Sequence, residues 1–163
     1  MSHNIEAPHL QLTLEQSDRD VAPGSRVSLI AEIELPPGTH VYSPEVKGYK
    51  PIQLAVKQTS GIELAPVIYP SSKDIYLEAI QEHVPVFEGK FRIVQDVTLN
   101  FSPTSDIARS LISAGKTISI SGELNYQACD MTVCYPPTSV PVMWSLKVLP
   151  LDLKRSPDAI RHQ

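Results

Sequence analysis

A chain of 163 residues, 42% of them hydrophobic, is too apolar to be disordered and suits one folded domain, with or without a tail. Its formal net charge of -4 gives no electrostatic basis for binding nucleic acid or an anionic membrane, and no apolar run approaches the roughly 20 residues of a membrane helix. Fifteen prolines argue against long helices and for short strands with looped connections.

The opening stretch Met1–Pro8 has no apolar h-region. Either the protein is cytosolic, or its export signal has been removed. Residues 1–9 are expected to be an N-terminal arm or a remnant of expression. Leu10, Leu12 and Leu14 alternate with polar residues and read as a first strand. Pro23-Gly24 marks a turn. Val27, Leu29, Ala31, Ile33 and Leu35 then alternate without a break, with Arg26, Ser28, Glu32 and Glu34 on the outer face. Pro36-Pro37-Gly38 ends that strand. In Thr39–Pro44 which follows, His40 and Tyr42 read from their neighbours as ordinary strand residues.

Ile62 and Leu64 make a short strand, and Val67–Pro70 closes another. Ser71–His83 breaks the rhythm. Its Ile75, Tyr76, Leu77 and Ile80 stand among charged residues, as in a one-turn helix or an irregular loop. Val84 and Val86 read as a strand before the Glu88-Gly89 turn. Phe91, Ile93, Val97, Leu99 and Phe101 share one parity, interrupted by Gln95, which marks a bulge or an amide with its own partner. Ser102–Ser105 offers an N-cap, Ile107, Ala108, Leu111 and Ile112 have helical spacing, and Gly115 is a stop signal. One short helix is expected there. Residues 151–163 read as a tail or linker. About eight or nine short strands with turn signals between them indicate an all-β sandwich over residues 10–150.

The chain has two cysteines, Cys129 and Cys134. Ile118, Ile120, Leu124, Tyr126 and Ala128 alternate before them, and Val140, Val142, Trp144, Leu146 and Val148 after them. That pattern reads as two half-buried strands joined near the cysteines. Residues flanking a four-residue hairpin loop have Cα atoms about 4.5–5.5 Å apart, within the roughly 4.4–6.8 Å that a disulfide needs. As a staple such a bridge is poor, because so short a loop returns only about 2 kcal/mol. A chain of this length can also bury a core without help. From spacing alone, a local structural disulfide, two buried thiols and a redox pair all stay open.

The residues around the pair carry more. Tyr126-Gln127-Ala128-Cys129 and Cys134-Tyr135-Pro136-Pro137 resemble the active-site segment of the N-terminal domain of DsbD, the bacterial thiol–disulfide interchange protein of the periplasm. The best-known members carry one more residue between the cysteines than the four here, Asp130 to Val133. The stretch from Thr39 through Gly48 and Pro51 to Ile52, Leu54 and Val56 resembles the same domain, as does Tyr69-Pro70. The resemblance covers roughly residues 10 to 150. It implies an immunoglobulin-like sandwich with a redox-active cysteine hairpin, Cys134 as the attacking sulfur and Cys129 as the resolving one. It places Tyr42, Tyr126, Gln127, Tyr135 and Pro136 around the pair, and a cap loop over the disulfide whose counterparts by position are Tyr76 and Leu77. It implies thioredoxin-like periplasmic partners and a membrane electron donor, with no organic cofactor, and further membrane and thioredoxin-like segments in the parent protein.

Asp130 adjoins Cys129, and no Lys, Arg or His lies between Tyr126 and Pro137, so nothing local favours a thiolate. Met131, Val133, Tyr135, Pro136 and Pro137 form an apolar surround suited to contact with a partner. The competing class is a non-catalytic binding sandwich with a fixed disulfide. A copper- or haem-handling chaperone would need histidine or methionine ligands grouped with the cysteines, and only Met131 is near, so no metal is expected. No phosphate loop or Ser/His/Asp constellation is present.

Overall fold

The computed structural model describes residues 2–46, 49–78, 80–100 and 117–149. In chain order its strands begin with β1 (Ser2–Ala7), β2 (Leu10–Gln16), β3 (Asp20–Val21) and β4 (Arg26–Glu34). They continue with β5 (His40–Tyr42), β6 (Gln53–Val56), β7 (Ile62–Leu64), β8 (Lys73–Leu77) and β9 (Glu82–Glu88). The last are β10 (Lys90–Leu99), β11 (Thr117–Tyr126), β12 (Ala128–Cys129) and β13 (Thr138–Val148). No helix occurs among the described residues.

The alternating runs become strands because a period of two puts every second side chain on one face. In β4, Val27, Leu29, Ala31 and Ile33 are buried, and in β13 Val140, Val142, Trp144, Leu146 and Val148 are buried. One sheet has the order β1-β2-β4-β10-β7 and a second the order β3-β13-β11-β6. Their apolar faces share one core, with Leu12, Leu29, Ile33 and Ile93 from the first and Ile120, Leu124, Trp144 and Leu146 from the second. Fully burying one such side chain is worth about 1.5–3 kcal/mol. The result is an immunoglobulin-like all-β sandwich.

Two polar contacts tie the layers together. The Trp144 indole Nε1 donates to the Glu15 carbonyl at 2.9 Å, and the Gln16 amide Nε2 donates to the Ser145 carbonyl at 2.9 Å. Gly122 lets β6 lie close against β11, since a Cβ there would meet the Ala55 carbonyl and lie 2.8 Å from Val56 Cα.

The third sheet, β12-β5-β9-β8, positions the cysteines. Its strands are short, but their alternation is strict. Val41, Phe87 and Ala128 face the main core. Tyr42, Leu77, Val84, Val86 and Cys129 form a second, smaller cluster on the opposite face.

Several sequence expectations need correction. Ser2–Ala7 is not an arm outside the domain: it pairs along its length with β2 through the Pro8-His9 turn, where His9 takes a φ of 67°. Ser71–His83 is neither a helical turn nor an irregular loop. Lys73–Leu77 forms β8 and pairs antiparallel with β9, from Lys73↔Val86 to Leu77↔Glu82. Edge position and charged neighbours hide its alternation. Val67–Pro70 makes only a single bridge, Ile68 to Val94, with Ile68 58% exposed. Gln95 sits in unbroken register opposite Leu29, so there is no bulge, and its Nε2 donates to the Ala65 carbonyl at 2.7 Å. Among the described residues there are thirteen strands against the expected eight or nine: β1 and β8 went unread, and β3 and β12, of two residues each, are too short to show periodicity. The helix expected around Ile107–Ile112 and the tail at 151–163 lie outside the described residues.

Candidate functional site

Strands β11 and β13 pair from Thr117↔Lys147 to Tyr126↔Thr138. Beyond that ladder the chain leaves the main sheet. Ala128 and Cys129 pair with Val41 and His40 of β5. A tight hairpin then returns the chain: Tyr135 N–H donates to the Ala128 carbonyl and Asp130 N–H to the Val133 carbonyl, each at 2.9 Å. Cys129 and Cys134 face each other across it and are joined by a disulfide, with Cα atoms 4.0 Å apart. The four-residue hairpin read from spacing is therefore present, drawn in slightly closer than an ordinary antiparallel pair.

The two sulfurs have unlike surroundings. Cys129 is 1% exposed and belongs to the small cluster, whereas Cys134 lies on the exposed return limb beside Met131 (58%) and Val133 (52%). The Tyr42 hydroxyl lies 3.7 Å from Cys134 Sγ. A disulfide sulfur has no proton to give, so the tyrosine is the donor. Burial, with Tyr49 nearby, pushes the Tyr42 phenol above its usual range, which keeps that proton in place. Tyr49 stacks on Tyr42 with ring centroids 4.9 Å apart.

Asp130 organises the tip of the hairpin. Its Oδ1 accepts from Thr132 N–H and Val133 N–H at 2.8 Å and from Thr132 Oγ1 at 2.9 Å, and its Oδ2 accepts from the Tyr135 hydroxyl at 3.0 Å. The backbone donors of Val133 and Thr132 lead in holding the carboxyl down to about 2. Tyr135 in turn stacks on His9, centroids 3.9 Å apart, and its carbonyl accepts from Gln127 Nε2 at 3.0 Å. The Tyr126 hydroxyl donates to the Pro8 carbonyl at 2.6 Å. Tyr126 and Tyr135 thus hold the hairpin to the β1–β2 turn, Gln127 ties its two limbs together, and Pro136 stays at the surface.

Tyr76 and Leu77, paired in the sequence reading as one cap, are separated by strand alternation. Leu77 is buried in the cluster with Cys129 and, with Ile80, lines a cleft of about 170 Å³ at the disulfide. Tyr76 points to the other face, 46% exposed, with its ring 5.1 Å from that of His83. The structure puts Leu77, not Tyr76, at the cysteines.

His40 also lines that cleft. It is 1% exposed, and its Nε2 has no hydrogen-bond partner among the described residues. Burial pushes its imidazole below the ordinary range, with Glu88 and Asp130 opposing, which favours the neutral ring. His40, Tyr49 and Ile80 were not picked out as site residues from sequence. The usable signal for His40 was its shared parity with Tyr42; for Tyr49 and Ile80 there was none. No group of three or more His, Cys, Asp or Glu side chains suited to a metal occurs among the described residues. A larger groove of about 310 Å³ beside Trp144 and Met143 carries no redox group.

Residues 11–143 match the family model described as thiol:disulfide interchange protein DsbD, N-terminal. No curated protein matches the sequence. Among solved structures, the N-terminal periplasmic domain of ScsB from Proteus mirabilis superposes with a TM-score of 0.55 at 16% identity, over 85% of this chain and 49% of that one. The chain thus spans about half the length of that neighbour. The reduced N-terminal domain of Neisseria meningitidis DsbD superposes with a TM-score of 0.50 at 13% identity, over 82% of this chain and 85% of that one. Identities this low speak for the fold alone, whereas the family model covers most of the sandwich and both cysteines. The chain belongs to the DsbD N-terminal domain family of thiol–disulfide interchange proteins.

Proposed function

We propose that Cys129 and Cys134 relay two electrons to the disulfide of a partner protein. The Cys134 thiolate attacks one partner sulfur, and the other leaves as a thiolate. Cys129, deprotonated, then attacks Cys134 Sγ and releases the partner as a dithiol. The pair ends as the observed disulfide, and a donor dithiol restores it by the reverse steps. The single observation that carries this reading is the asymmetry of the pair: Cys134 is exposed and Cys129 is buried. Exposure supports Cys134 as the sulfur that meets a partner, and burial supports Cys129 as the one that resolves.

Thioredoxin-like proteins are the proposed electron acceptors and a membrane protein the proposed donor, with the periplasm as the compartment. Membership of the interchange family supports this, as does the periplasmic origin of the ScsB neighbour. Met131 and Val133, exposed beside Cys134, supply an apolar docking surface. The β8–β9 hairpin, through Leu77 and Ile80, acts as the cover over the Cys129 side of the disulfide and yields when a partner docks.

The test is covalent trapping. A Cys129→Ala protein expressed in an oxidising compartment should accumulate adducts on Cys134 that contain thioredoxin-like proteins and are released by a reductant. Absence of adducts, or equal adducts from a Cys134→Ala protein, would contradict the relay.

A further inference from the structure

The resolving step needs something the cysteines do not supply. Cys129 must lose its thiol proton before it can attack, and it sits 1% exposed, away from water. Burial in apolar surroundings disfavours the thiolate. A base inside the cleft is therefore required.

We infer that His40 is that base: its Nε2 takes the proton of the Cys129 thiol as Cys129 Sγ attacks Cys134 Sγ. His40 and Cys129 are direct cross-strand partners of β5 and β12, so their side chains leave the sheet on the same face, with Cβ atoms about 4.5–5.5 Å apart. Both line the same cleft. His40 Nε2 is a fully buried nitrogen with no partner among the described residues while the disulfide is closed. Reduction creates one new polar hydrogen beside it, the Cys129 S–H. Buried polar atoms without partners are uncommon, and this one is satisfied in the reduced state.

The other titratable groups facing His40 do not serve. Asp130 spends both carboxylate oxygens on four donors and is held down to about 2. Glu88, opposite His40 on β9, is exposed and paired with Lys73 at 2.9 Å. Tyr42 keeps its own proton and directs it at Cys134. The step balances. An S–S bond forms between Cys129 and Cys134, the bond from Cys134 to the partner breaks, and the partner sulfur leaves with the electron pair. The proton on the imidazole then passes to that thiolate or to water.

The inference rests on the proposed order of the cysteines, and its test separates the two. Reduced protein is mixed with the chromogenic disulfide dithionitrobenzoate. The first coloured thiolate released reports attack by Cys134, the second reports resolution by Cys129. His40→Gln should leave the first phase unchanged and slow the second about a hundredfold at pH 7, the lower side of what a positioned base supplies. The wild-type second phase should level off from about pH 7 to 8, while that of the variant keeps rising about tenfold per pH unit toward the ordinary thiol range near 8.5. An unchanged second phase in a folded His40→Gln protein would overturn the role of His40. If the variant does not fold, the wild-type profile decides alone, and a steady tenfold rise per unit would overturn it. A Cys129→Ala protein that releases no first thiolate would instead overturn the order of the cysteines, and the inference with it.

Discussion

At the scale of single residues, Asp130 shows how far chemistry follows from placement. From sequence it is a negative charge beside a cysteine. In the fold it is the keystone of the hairpin, accepting four hydrogen bonds. Its carboxyl falls from an ordinary 3.8 to about 2, so the ionised form is what the folded hairpin binds. The contribution of these bonds is complete above about pH 4 and is lost as the pH falls through about 2. The amide resonances of Thr132 and Val133 should therefore titrate with a midpoint near 2, followed by nuclear magnetic resonance. A midpoint near 4 would mean that the carboxylate does not hold the loop. The cysteine pairing was legible because two alternating runs converge on it. The burial of His40 was not, because a three-residue strand carries no period by which to tell its faces apart.

Among the elements, the β8–β9 hairpin, proposed above as the cover, is the one that sequence misread. Its residues alternate, but Lys73, Asp74, Glu82 and His83 break up the apolar pattern. Only pairing with β9 reveals that Leu77 faces the cysteines and Tyr76 faces away. The long core strands were legible because each buries one whole face. The short strands β5 and β12 owe their conformation to neighbours distant in sequence. Leu77→Ala should speed alkylation of the reduced cysteines several-fold, at a cost in stability of no more than about 2 kcal/mol, the low end for a leucine in a small peripheral cluster. Tyr76→Ala should change neither. Alkylation rates with a small reagent, read beside urea midpoints, check both variants. Equal rates for Leu77→Ala and wild type would remove the cover.

For the whole molecule, stability and redox chemistry are separable. The sandwich core lies between the two large sheets, and the disulfide closes a loop in the third with a sequence separation of only 5. A loop that short contributes about 2 kcal/mol. The Cys129→Ala/Cys134→Ala double variant should lose about that much in urea unfolding, and a loss well beyond about 3 kcal/mol would mark the bridge as a staple. A bridge that the fold does not need can open and close in place, and the overall claim stands on that lability. Its most direct test is the reduction potential of the Cys129–Cys134 pair, measured by equilibrating the protein with dithiol buffers of known potential. The expected value lies above about -300 mV, among labile exchanging disulfides. A value below that, among disulfides that resist cellular thiols, would make this a structural bridge in a sandwich that transfers no electrons.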